Sequence, residues 1–144
     1  MTDPEIRVVP PDERSTDTPQ TPGLWREVAF DGRNPDATTL SGFVSTVRPG
    51  AATAAHHHGD QETILYVLDG RARYRWGSRL EHVVEADPGS FVFIPAEIVH
   101  QEINPSDEPP TWVVVRSGVD PIVVNLPELD DVAERPARDY TAAE

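Results

Sequence analysis

At 144 residues the chain has room for one domain with a real core and too few residues for two. A formal net charge of −13 repels phosphate backbones and anionic lipid surfaces, which argues against nucleic-acid and membrane partners. All 12 basic residues are arginine and cysteine is absent, so thiol nucleophiles, disulfides, thiolate metal sites and Schiff-base lysines are excluded. Chemistry falls to histidine, carboxylates, hydroxyls or a bound metal. No apolar run approaches the ~18–20 residues of a membrane span, and no basic-then-apolar export signal opens the chain. The expected location is cytoplasmic.

Residues 1–22 carry Pro4, Pro10, Pro11, Pro19 and Pro22 among Thr, Asp and Glu, a composition that predicts an extended or disordered arm. Residues 23–126 form the expected globular body. Residues 127–144, with six acids against Arg135 and Arg138, predict an acidic C-terminal tail. Within the body, short runs rich in β-branched and aromatic residues predict strands at Leu24–Phe30, Leu40–Val47, 53–58, 63–68, 72–76, 81–85, 91–94, 99–104, 111–116 and 121–125. Asp69-Gly70, Trp76-Gly77-Ser78, Asp87-Pro88-Gly89 and Asn104-Pro105-Ser106 supply turn residues between them. The fold class is all-β, a sandwich, barrel or jelly roll. In 71–76 the period is two, with Ala72, Tyr74 and Trp76 expected in the core and Arg71, Arg73 and Arg75 in solvent.

The chemistry-bearing segment is Gly50 to Glu62. His56 and His58 stand two residues apart and point the same way from an extended strand, whereas His57 points oppositely. Glu62 follows across a short turn that can return its carboxylate to the same pocket. His100, some 40 residues on, can add a fourth ligand from a neighbouring strand. An internal run of this kind is no terminal tag, although His100 taken singly would also suit a hydrogen-bonded core histidine.

These residues resemble both halves of the cupin signature. Gly50, His56, His58 and Glu62 match the first half, with Gly70 one residue later than usual, which suggests a bulge after Glu62. Gly89, Pro95, His100 and Asn104 match the second, with Glu97 where a glycine is expected. The resemblance to small single-domain members of the RmlC-like cupin superfamily implies a jelly-roll β-barrel, or double-stranded β-helix. It also implies one divalent metal ion (Fe, Mn, Ni, Co or Zn) held by His56, His58, Glu62 and His100, with open positions for a small-molecule substrate or ligand. Glu102, which shares a strand face with His100, and Tyr66, near the first motif, are the candidate catalytic residues. Gln61 is a further pocket candidate, and His57 and His82 are assigned to surface or hydrogen-bonding roles.

The implied function is a metal-dependent enzyme on a small organic molecule, of dioxygenase, isomerase or cyclase type. The alternative is a non-catalytic metal- or ligand-binding module, and a metal-free epimerase-like cupin is disfavoured by the four-ligand set. A homodimer is expected, since cupins commonly pair barrels and the first strand offers an edge. Metal occupancy and thermal stability are expected to fall together on acidification, because the imidazoles must be neutral and ordinary histidine titrates near ~6.5.

Overall fold

Alternation of inward and outward residues builds ten strands in the computed structural model, which describes residues 4–17, 21–34 and 37–129. They are β1 (Leu24–Phe30), β2 (Leu40–Val47), β3 (His56–His57), β4 (Thr63–Asp69), β5 (Ala72–Trp76), β6 (His82–Ala86), β7 (Phe91–Ile94), β8 (His100–Ile103), β9 (Thr111–Ser117) and β10 (Val124–Asn125). One antiparallel sheet runs β1-β2-β9-β4-β7 and the other β10-β3-β8-β5-β6. The two sheets make the all-β jelly roll expected from the strand pattern.

The expected strand at 53–58 shrinks to two residues. Thr53 and Ala54 instead make single backbone bonds, Thr53 N–H to Glu102 O at 2.8 Å and Ala54 N–H to Pro22 O at 3.0 Å, so no continuous ladder forms. Part of the Pro-rich arm is tied to the body: Ser15 and Val28 exchange backbone bonds beside β1, and Arg14 pairs with Glu27 at 3.0 Å. Residues 130–144, most of the expected acidic tail, lie outside the described residues.

The core fills the space between the sheets with Phe43, Val47, Leu65, Val67, Ala72, Trp112 and Val114. Their spacing of two along β2, β4 and β9 puts each on the inner face, where burial of a large apolar side chain contributes ~1.5–3 kcal/mol. The turn between β4 and β5 requires glycine. Gly70 has φ +77°, and a Cβ there would meet Pro110 at 2.7 Å. Asn104 closes the β8–β9 connection from a fully buried position, donating to Val47 O at 3.0 Å and Glu108 O at 2.9 Å while accepting from Ser106. Its place in the second motif is therefore structural.

The arginine row on β5 departs from expectation. Arg73 and Arg75 are both buried; for Arg73, Glu85 lies opposite on β6 and pairs with it at 2.7 Å, which supplies a counter-charge that solvent would otherwise provide. Among the described residues no helix is long and apolar enough to cross a membrane.

Candidate metal centre

Two elements carry the histidines inward. His56 on β3 pairs directly with His100 on β8, and His58 follows β3 on the same side of the chain. The candidate ligand atoms of the three lie within 4.8 Å of one another, and all three residues are buried. Each Nδ1 faces a backbone carbonyl: His56 to Ala54 O at 2.8 Å, His58 to Ile122 O at 2.8 Å and His100 to Ile98 O at 3.1 Å. A carbonyl only accepts, so each Nδ1 carries the hydrogen and each Nε2 presents a lone pair. All three Nε2 atoms are buried without a partner in the protein. An unmet buried polar atom costs ~1–3 kcal/mol, and three converging on one point make a site fitted to a cation.

Electrostatics favour the ligand form. Burial holds His56 well below its ordinary value and pushes His58 down to about 2 and His100 to about 4; the nearby Arg116 guanidinium acts in the same direction on all three. His57 has the opposite arrangement, as its Nδ1 accepts from Gly59 N–H at 3.0 Å and its ring lies on the other side of β3. It is excluded from the cluster, as its parity predicts.

Glu62 is not brought to the histidines. Its side chain is exposed, and only its backbone is fixed, by Ser117. The bulge expected in the strand leaving Glu62 lies near its far end: β4 keeps an unbroken register from Thr63 to Tyr66 against β7 and from Thr63 to Val67 against β9, and the register shifts only between Val67 and Asp69. Parity therefore turns Thr63 inward and Glu62 outward. Four residues separate Thr63 from His58 and six separate it from Gly70, so Thr63 satisfies the spacing to Gly70 that Glu62 misses. Its hydroxyl accepts from Arg116 Nε at 2.9 Å. A threonine and a guanidinium thus stand where a carboxylate ligand was expected.

Of the two candidate catalytic residues, one faces the lumen. Glu102 is buried on the His100 face of β8, its Oε2 has no partner, and burial pushes its carboxyl up to about 7 despite the opposing charges of Arg116 and Arg26. Tyr66 is on the outer face of β4, where its ring packs against Phe91 at 4.9 Å between centroids; the alternation Leu65, Tyr66, Val67 sends it out of the barrel. Gln61 is buried and donates to Asp120 O at 2.7 Å. His82 stacks on Trp76 with centroids 4.1 Å apart.

The site also holds residues not anticipated from the sequence. Arg26 and Arg116 flank the Phe43 ring at 4.8 Å and 5.1 Å, and Tyr74 presents a buried hydroxyl without a partner. The signal was the alternation Trp112, Val114, Arg116, which places an arginine on the core face of β9. Its Thr63 bond, the nearby charge of Glu102 and the aromatic face of Phe43 explain how a cation is tolerated there.

The family model described as the cupin domain matches residues 43–116, just over half of the chain, and spans both histidine motifs. This chain belongs to the cupin family. Solved cupin-like structures share the fold. A mutant of Bacillus subtilis oxalate decarboxylase is 23% identical with a TM-score of 0.65, over 76% of this chain and 30% of that one. The Lactobacillus farciminis oxalate decarboxylase formate complex is 21% identical with a TM-score of 0.66, over 78% and 34%. A conserved double-stranded β-helix protein from Klebsiella pneumoniae is 22% identical with a TM-score of 0.64, over 84% and 97%. The cupin thus spans about a third of the length of the decarboxylases. No curated protein matches it.

Proposed function

We propose that this cupin is a metal-dependent enzyme acting on a small organic molecule, with one divalent metal ion held by His56, His58 and His100. The observation that carries the reading is the set of three converging Nε2 atoms, each buried, unpartnered and fixed as a lone pair by its own Nδ1 bond. A nitrogen-only set without sulfur accepts Fe, Mn, Co, Ni or Zn. The bound ion supplies a Lewis acid for an oxygen of the substrate. Glu102 supplies proton transfer: burial holds its carboxyl above the usual carboxylate range, and its free Oε2 can take a proton from one atom of a bound molecule and return it to another. That capacity favours isomerase- or cyclase-type chemistry, with dioxygenase-type chemistry the other class such an open site supports.

The test is a substrate and oxygen-consumption screen of metal-loaded protein, wild type against Glu102→Gln. Turnover lowered by ~10²–10⁴ in Glu102→Gln, with metal content unchanged, supports the assignment. Stoichiometric metal without turnover on any substrate class would favour the binding-module alternative.

The functional unit in this reading is a homodimer. The outer face of the β1-β2-β9-β4-β7 sheet exposes Ile64, Leu68, Phe91, Phe93 and Val115, and the arm lies beside it, with Glu5 and Arg7 lining a groove together with Gly42 and Val115. Ile6 and Val8 of that arm turn away from their own body and are almost fully exposed. A second copy covers both features at once. Light scattering is expected to give twice the 15.9 kDa chain mass, and Ile64→Glu with Phe91→Glu to give the monomer. A monomeric mass for wild type across a wide concentration range would reject the assembly.

A further inference from the structure

Between the β5–β6 edge of one sheet and β7 of the other lies a cavity of about 340 Å³ that His100 helps to line. Tyr74, Trp76, Val84, Ile94, Pro95 and Ile98 form most of its wall. The volume lies in the range of small-molecule sites. No carboxylate or guanidinium lines it. The two lumen arginines occupy a different wall: both flank Phe43, and Arg116 is bonded to Thr63. Two polar features interrupt the apolar lining, His100 and Tyr74, whose ring centroids are 6.3 Å apart. The Tyr74 hydroxyl is buried without a partner, although a buried phenol ordinarily finds one.

We infer that the cavity receives the apolar body of the substrate, an aromatic ring or branched alkyl group, with a single oxygen-bearing head directed at Tyr74 and the histidines. The inference rests on the reading of the histidines as the reacting end of the site and adds the class of molecule that reaches them. It separates this cupin from the oxalate decarboxylases whose fold it shares. A small dicarboxylate has no apolar portion with which to displace water from Trp76, Val84 and Ile98. It would also bring two desolvated charges to a wall that offers one hydroxyl and one imidazole, where buried charges need paired and hydrogen-bonded partners. A ring bearing one carboxylate fits both parts: the ring removes apolar wall area from water, and the single head finds the unpartnered Tyr74 hydroxyl as its donor.

Phenylacetate and oxalate are suitable probes, titrated into metal-free protein and followed by NMR at the Trp76 indole N–H and the Ile98 methyl groups. Metal content of the same preparation, measured separately after loading, reports on the histidines alone. Phenylacetate is expected to shift both signals saturably while oxalate at equal concentration leaves them in place. Val84→Trp, a substitution at a half-exposed position that projects bulk into the cavity, is expected to weaken phenylacetate at least tenfold, and Ile98→Asp to do the same by a different chemistry. Phenylacetate binding by protein that takes up no metal would support the apolar cavity and reject the metal assignment. Metal uptake without phenylacetate shifts, equal shifts from oxalate, or unchanged affinity in both variants would overturn the inference and leave the metal assignment standing.

Discussion

Along β4 and β9 the lumen changes character within one residue pair. Leu65 and Val67 face Val114 and Trp112 in a packed apolar floor, whereas the next inward pair, Thr63 and Arg116, opens the polar end with the three histidines. The same alternation and the same ladder build both. The polar end leaves His56, His58 and His100 Nε2, Tyr74 Oη and Glu102 Oε2 buried without partners, while the floor residues bury hydrocarbon and a single such atom, Trp112 Nε1. The floor therefore provides stability and the polar end gives some of it up for binding, which is where local rules are ordinarily broken for function.

The comparison breaks most visibly at the floor. Leu65→Ala is expected to cost ~2–5 kcal/mol in denaturant unfolding, because the two-sheet core cannot fully collapse around the void, while the folded protein keeps its metal stoichiometry. At the polar end the sign reverses for metal-free protein. His58→Leu loses the Ile122 O bond but removes an orphaned Nε2, and is expected to be as stable as wild type or up to ~2 kcal/mol more stable. A loss as large as that of Leu65→Ala would show that His58 is a core-packing residue.

Acidification sharpens the same contrast. His58 at about 2 and His100 at about 4, with His56 also depressed, lie below the ordinary 6.5, so the unfolded chain binds protons first. Their contribution is complete above pH 6.5 and is lost as pH falls through the folded values. Glu102, raised to about 7 from 4.5, acts oppositely and gains stability for the fold as pH falls between those values. Three histidines outweigh one carboxyl, so the melting temperature of metal-free protein should fall from pH 6.5 downward and more steeply below 4.5, by up to ~1.4 kcal/mol per pH unit for each net proton. Melts from pH 8 to pH 4 check it; a flat profile in wild type would contradict the buried neutral state of the cluster. The acid loss expected from ordinary histidine titration near 6.5 thus becomes a property of folding rather than of the folded site.

The smallest effect concerns Glu97, the residue standing where the second motif has glycine. Its φ of +65° is the left-handed conformation that glycine adopts freely, and its N–H still donates to Gly59 O at 2.7 Å. Relief of ~1–2 kcal/mol of local strain, less the entropy of an added glycine, makes Glu97→Gly stabilising by up to ~1 kcal/mol in thermal melts.

The all-β class, most strand positions and the facing of His56, His58, His100 and Glu102 were legible because a period of two depends on local sequence alone. Glu62, Tyr66 and the β5 arginines were misplaced for a shared reason: each needed knowledge of what lies across the sheet. Gly70 appeared one residue late because Glu62 was taken as the ligand, and only the β4 register against two neighbours shows that Thr63 holds the inward position. Burial of Arg73 depends on Glu85 in another strand, and the inward guanidiniums depend on Phe43, Thr63 and Glu102.

The central claim is that three imidazoles, without Glu62, hold the metal. Elemental analysis after metal loading and dialysis tests it on five single variants. One equivalent of metal is expected in wild type, Glu62→Ala and His57→Ala, and essentially none in His56→Ala, His58→Ala or His100→Ala. Loss of metal in Glu62→Ala comparable to that in the three inward histidine variants, or retention in any of those three, would contradict it.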